Sequence, residues 1–230
     1  MLNLLDADYK VKTVFKLCHA NSDGDNLLIE NNANEWLTFP LLRQQTRKRN
    51  ETHYLCLSDF IRPQSSGITD TIGAFATTID AVMEELYAQD PYKHLLVQTL
   101  SDRLAEAGTE KMHEYVRKIA WGYAPDEDLS MPDLLIEKYQ GIRPAVGYPS
   151  LPDQSVNFLL DELLDMKQIG ITLTENGAMK PHASVCGLMF AHPASKYFSV
   201  GTIGKDQLED YARRRGKSTE EIRKFLAANL

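Results

Sequence analysis

Cysteine is scarce in this chain, and the three present, Cys18, Cys56 and Cys186, lie far apart with no C-x-x-C spacing. Neither a disulfide framework nor a zinc site follows from such a set, and a reducing compartment is expected. No apolar run reaches 18 residues, and Met1-Leu2-Asn3-Leu4-Leu5-Asp6 has no basic start. A membrane span and an export signal are therefore both unsupported, and the expected location is cytoplasmic. Bases are outnumbered, 25 Lys and Arg against 32 Asp and Glu, for a net charge of −7. A phosphate backbone wants a basic face, so nucleic acid is not an expected partner. There is no glycine-rich turn of the G-x-G-x-x-G kind, which disfavours a doubly wound nucleotide-binding fold, and Ser184 lacks the G-x-S-x-G frame of a nucleophile elbow. The one stretch that imitates a calcium loop, from Asn21, places Asn26 where glycine is needed and Asn32 where the bidentate acid belongs. His182 and Cys186 have no third or fourth ligand in reach, so no metal is expected.

What is present is a chain of 230 residues, 43% hydrophobic, enough for one large domain with a substantial core. Residues 140 to 149, Gln-Gly-Ile-Arg-Pro-Ala-Val-Gly-Tyr-Pro, stand apart from the rest, with two glycines and two prolines in ten positions. Proline fixes its own φ and pushes the residue before it toward extended geometry, so the backbone there is stiff and not helical. A stiff exposed backbone beside a guanidinium (Arg143) and a phenol (Tyr148) suits a small-molecule site, with Arg143 as a carboxylate clamp. It also suits an ordinary loop with a surface arginine.

Around that loop the chain reads as an α+β sequence. Strands are expected at 11 to 17 and 27 to 29 about a turn at 21 to 25, then at 36 to 39, with a short helical piece at 41 to 45. Arg43, Arg47, Lys48 and Arg49 read as a solvated basic loop, and Tyr54 to Leu57 as a buried strand ending at Asp59. A strand at 71 to 76 and a short helix at 79 to 89 precede Asp90-Pro91, an N-cap followed by proline at the first helical position. Apolar spacing then carries one helix to about Trp121, roughly 45 Å at ~1.5 Å per residue. Asp102, Arg103 and Glu106 share one face of it, which by itself suits a solvated ion-pair row. Ser130 caps a helix over 131 to 139, and Asp153 caps one closed by Gly170. Strand-like runs follow at 171 to 175, 183 to 190 and 197 to 203, then a helix at 206 to 215 and a capping box, Ser218-x-x-Glu221. Short consecutive strands with helices segregated from them favour a twisted, mainly antiparallel sheet with long helices packed against it.

Arg143-Pro144-Ala145-Val146-Gly147-Tyr148-Pro149 resembles the RPAxGYP signature of the activation domain of cobalamin-dependent methionine synthase, which binds S-adenosylmethionine. The same family order continues through Asp59-Phe60, Asp102 to Ala107, Trp121 to Pro125, Leu173 to Glu175 with Ala178-Met179, His192-Pro193 with Ser195-Lys196-Tyr197, and Asp206-Gln207 with Glu209 to Ala212. The resemblance covers nearly everything from about residue 14 onward. It implies a single activation domain over 1-230 that omits part of the family's amino-terminal segment.

What the resemblance implies is reductive reactivation of a cobalamin carried by a partner domain or subunit, with S-adenosylmethionine as methyl source and flavodoxin or a similar flavoprotein as electron donor. The chain has no D-x-H-x-x-G corrinoid motif and no zinc-binding cysteines for homocysteine, so by itself it is not expected to make methionine. The implied ligand contacts are Asp59 for the ammonium and Arg143 for the carboxylate, with Glu106, Ala145, Gly147, Tyr148, Tyr197 and Phe198 lining the site and Asp102 near the docked cobalamin module. A sulfonium beside the Tyr197 ring would gain about 0.5–2 kcal/mol. No residue is expected to act as acid, base or nucleophile. Phe198 stands where a second tyrosine is found in the family, and Lys180 and His182 where tryptophan and glycine occur. The alternative is a non-catalytic module that senses S-adenosylmethionine or docks a corrinoid protein.

Overall fold

The computed structural model describes residues 9–31, 33–46 and 53–230. The calls at Met1 to Asp6, Asn32 and Arg47 to Arg49 lie outside the described residues.

Four strands open the fold: β1 (Val11–Asp23), β2 (Asn26–Glu30), β3 (Trp36–Pro40) and β4 (Asp70–Ile79). A two-stranded pair, β5 (Thr172–Leu173) with β6 (Met179–Lys180), comes later, followed by β7 (Ser184–Met189). The main sheet has the order β3-β2-β1-β4-β7, antiparallel at every pairing. The reversal between β1 and β2 is tighter than expected: Asp23 pairs with Asn26, and Gly24, at φ +56°, takes the left-handed position that glycine adopts without cost.

β4 is central, and all of its residues from Ile72 to Ile79 are buried. Helices therefore cover both faces. Side chains alternate along it: Ile72, Ala74 and Ala76 join the larger core, while Phe75 packs with Met112, Val116, Ala145 and Met189 on the other side. After the short α1 (Val82–Glu85), the long α2 (Pro91–Tyr115) covers the Phe75 face through Val97, Ser101, Ala105, Thr109 and Met112. These are mostly small residues, so the helix lies close to the strands; a Cβ on Gly108 would stand 2.4 Å from Val11. Asp90 caps α2 by accepting from the Lys93 amide at 3.1 Å. Beyond Tyr115 the expected continuous helix widens into a π turn, Val116–Ala120. α3 (Met131–Leu135) follows, capped by Ser130. The opposite face of the sheet carries α4 (Val156–Leu164), with α5 (Lys205–Arg215) and α6 (Thr219–Phe225) adding Leu208, Tyr211 and Ile222 to that core.

Several local expectations are corrected. Residues 41 to 45 form no helix, and the 54 to 57 run is not a strand. Gln44 and Leu55 bond each other, and the Cys56 amide donates to Asp59 at 2.8 Å, drawing the chain into a 3-10 turn over Leu57–Phe60. Residues 197 to 203 have the buried alternation of a strand at Phe198 and Val200 but no strand neighbour. Their backbone bonds go to Pro149, Ser150, Gln44 and Asn229 instead. The helices expected at 79 to 89 and 131 to 139 shrink to four and five residues. Asp153 lies three residues ahead of α4 and acts as an anchor, accepting from Ser155 and from the Tyr211 hydroxyl at 2.7 Å.

Candidate functional site

The proline-braced loop is an interrupted edge strand. Ile142 and Phe190 exchange backbone bonds at 2.9 Å, Leu188 donates to Pro144, and Val146 donates to Cys186. Proline interrupts the ladder there: its carbonyl accepts from Leu188, but the N–H it lacks is the one a regular strand would have aimed at the Leu188 carbonyl, a loss that confines proline to edge positions. With Ile142 and Val146 turned into the larger core, Arg143, Ala145 and Gly147 are presented toward α2. Gly147, at φ +87°, opens the turn that Leu151 closes by donating to Tyr148. Contact between loop and β7 is tight: a Cβ on Gly187 would lie 2.3 Å from the Pro144 carbonyl oxygen and 2.8 Å from Ala145 Cα. Both are backbone atoms. A Gly187→Ala change is expected to cost about 1–3 kcal/mol and to speed hydrogen exchange at the Val146 and Leu188 amides, readable by mass spectrometry.

Between α2 and this loop lies a groove of about 270 Å³, bordered by Asp102 and Glu106 from the helix, Tyr148 from the loop and Ser184 from β7. Arg143 sits further along the same helix face, where its Nη2 donates to Oε2 of Glu110. Burial alone would lower the Arg143 pKa, but the Glu110 carboxylate together with Tyr139 and Tyr197 more than offsets it, and the group stays charged. The Tyr197 hydroxyl accepts from the Arg143 amide at 3.0 Å. Glu106, Arg143, Ala145, Gly147, Tyr148 and Tyr197 therefore gather about one loop and one helix.

Two predicted contacts do not join them. Both Asp59 oxygens are taken, by Arg43 Nη1 and Nη2 at 2.8 and 2.7 Å and by the Cys56 amide. Arg43 also holds Asp25 and the Tyr54 carbonyl, so it is a structural tie and not part of a solvated loop. Asp59 is thus an internal counter-ion, and no hydrogen bond among the described residues links it to the loop. Phe198 is buried in the larger core, with its amide donating to Ser150.

Behind the loop lies a charged cluster that the sequence reading missed. Arg117, wholly buried, is clamped by Glu127 through Nε and Nη2 at 2.8 and 2.6 Å, meets His113 Nδ1 at 2.7 Å, and lies 4.2 Å from the Tyr139 ring centre. Its Nη1 is 3.8 Å from Glu110 Oε1. The π turn at Val116–Ala120 is the local feature that turns it inward. Arg117 stands between the apolar positions Val116 and Ile119 beside a second base, Lys118, and nothing in that local sequence marks it as buried.

His113 is fully buried, and burial, then Arg117, then Arg143 hold its pKa well below the ordinary histidine value. Below about pH 6.5 the unfolded chain takes up a proton at this position that the folded chain refuses. Stability should therefore fall on acidification, by up to about 1.4 kcal/mol per pH unit. The measurement is denaturant unfolding at pH 7 and pH 5 for the parent and His113→Gln, with a flatter dependence expected in the variant.

All three cysteines are free and buried, and burial pushes the Cys56 thiol up to about 11 and Cys186 further still. They are poor nucleophiles at neutral pH. Among the described residues there is no cluster of three metal-ligating side chains, and no helix is long and apolar enough to cross a membrane.

The family model described as vitamin B12 dependent methionine synthase, activation domain, matches residues 1–216. A crystal structure of the MetH reactivation domain bound to AdoHcy is similar to this chain at 46% sequence identity with a TM-score of 0.88, covering 96% of this chain and 71% of that one.

Proposed function

The chain belongs to the vitamin B12 dependent methionine synthase activation-domain family, and from that premise we propose that its loop-and-helix groove binds S-adenosylmethionine for the reductive reactivation of a cobalamin held by a partner domain or subunit. The observation that supports this reading is the pairing of a groove walled by Glu106 and Tyr148 with Arg143, held beside the same helix by Glu110 and bonded through its amide to Tyr197. The relative's ligand, AdoHcy, has the same amino-acid end and adenosine as S-adenosylmethionine.

The residues suit that group. Arg143 Nε and Glu110 Oε1 are closed from solvent with no hydrogen-bond partner, which marks a polar site whose contacts are incomplete. Arg143 receives the ligand carboxylate through charge-assisted bonds. Glu106, on the groove wall, about half exposed and paired through Oε2 with Arg103 at 2.7 Å, would meet the ammonium with its remaining oxygen. The outward backbone edge at Arg143 and Ala145, with the turn at Gly147, offers groups that β7 does not use. Tyr148, 55% exposed, supplies an aromatic face. Bound S-adenosylmethionine supplies the methyl, and the partner's cobalamin receives it together with an electron from flavodoxin or a similar flavoprotein. The part of this chain is positioning and exclusion of water; it donates no proton and forms no covalent bond.

The test is spectroscopic. Mixing the chain with a cob(II)alamin-loaded partner domain, reduced flavodoxin and S-adenosylmethionine should replace the cob(II)alamin absorption with that of methylcobalamin. Binding of S-adenosylmethionine without any spectral change would leave a sensing or docking module in its place.

A further inference from the structure

β1 is an edge strand for most of its length. It pairs with β4 from Val11 to Ala20 but with β2 only from Ala20 to Asp23, so its far side from Val11 to Leu17 has no strand neighbour among the described residues. Alternate residues of an antiparallel strand bond to opposite sides. The Ser22 amide turns to the β4 side, where it donates to the Arg62 carbonyl at 3.0 Å, so the odd-numbered residues carry the bonds on the other. Val11, Thr13, Phe15 and Leu17 therefore aim amide and carbonyl outward, and among the described residues no backbone hydrogen bond meets them there.

This edge is basic in a chain of net charge −7. Lys12 is exposed, and Lys16 stands four residues on along the same face of the strand. The Lys16 ammonium is closed from solvent beside the Cys18 thiol, with no hydrogen-bond partner. Where β2 stops, a cavity of about 440 Å³ opens, lined by Lys16, His19, Glu30, Asn31, Asn34 and Thr71. Glu30 is held by His19 at 2.7 Å, which leaves Lys16 as the cation there without an acid. Edge lysines commonly stand in water and deter pairing with a second copy. Lys16 does not stand in water, and an ammonium left so costs free energy that a carboxylate would offset.

We propose that the open edge of β1 takes an extended acidic segment of a partner protein as an added strand in line with β2. Its backbone ladders onto Val11, Thr13, Phe15 and Leu17, and two carboxylates four residues apart meet Lys12 and Lys16. In such a complex the backbone bonds supply affinity and the side chains selectivity. The surface lies two strands from β7, so it does not depend on what the 140 to 149 loop binds.

The probe is the peptide Thr-Glu-Val-Thr-Val-Glu-Thr, compared with its glutamine counterpart by fluorescence anisotropy and by amide exchange in NMR spectra. The acidic peptide should bind about three- to tenfold tighter than the glutamine one. It should slow exchange at Thr13, Phe15 and Leu17 and leave Lys12, Val14 and Lys16, already bonded to β4, unchanged. The double variant Lys12→Glu with Lys16→Glu should reverse the preference in favour of a lysine peptide. Lys12→Glu alone, at an exposed position, should abolish the acidic preference and serves if the double variant unfolds. No binding, or binding that leaves the three outward amides unprotected, overturns the proposal, and equal affinity for the two peptides overturns the acidic partner. Light scattering that shows a dimer with those amides protected also overturns it, since a second copy then fills the edge.

Discussion

Replacing Arg143 by alanine is expected to weaken S-adenosylmethionine binding about 10- to 100-fold while leaving the fold in place. The loss follows from removing a charge-assisted pair in a partly buried groove, worth about 1.5–3 kcal/mol. The fold survives because the loop is attached to β7 by backbone bonds at Ile142, Pro144 and Val146 that do not involve the side chain. Glu110, freed of one partner, still has Arg117 at 3.8 Å. Calorimetric titration together with a thermal melt reads both effects. An affinity within twofold of the parent, in a folded variant, would remove Arg143 from the site.

Glu127→Ala should be the most destabilising single change at the cluster behind the loop. Arg117 has no exposed surface, and Glu127 supplies its only bidentate partner. Removing one member of a buried pair leaves a charge that water cannot reach, at a cost of about 3–5 kcal/mol. In a domain of this size that corresponds to a fall in Tm of roughly 6–20 °C. The Tyr139 ring at 4.2 Å and Glu110 offset a part of it, which favours the lower half of that range. The paired change Arg117→Met with Glu127→Leu should recover most of the loss, since replacing both charges by apolar groups avoids the desolvation cost. If the single variant melts with the parent, the pair has no structural weight. If the double variant melts lower than the single one, the charges hold the loop in a way that packing does not replace.

Much of the architecture was legible in the chain. Asp90-Pro91 announced the start of α2, and apolar spacing carried it to about Trp121, where the structure has α-helix to Tyr115 and a π turn to Ala120. The strand-like runs at 71 to 76 and 183 to 190 located two neighbouring strands, β4 and β7. The glycines and prolines of 140 to 149 marked a segment that is neither helix nor free strand. Where reading failed, long-range partners decided the outcome. Residues 197 to 203 carry a strand pattern, yet the place beside β7 is already filled by the 142 to 146 loop. Asp59 is bonded to Arg43, a residue 16 positions earlier that spacing had left among surface bases. Glu110, His113 and Arg117 recur at helical spacing, and sequence alone does not say whether such a face meets water or a second charged layer. The direction came from the π turn and from Tyr139, neither of which has a sequence signal at that distance.

The most direct measurement is a crystal structure of this chain with AdoHcy. The carboxylate should lie within hydrogen-bonding distance of the Arg143 guanidinium and the adenosine along Ala145 to Tyr148, facing α2. A ligand seated against Asp59 and Arg43, with Arg143 still bonded to Glu110, would contradict the account.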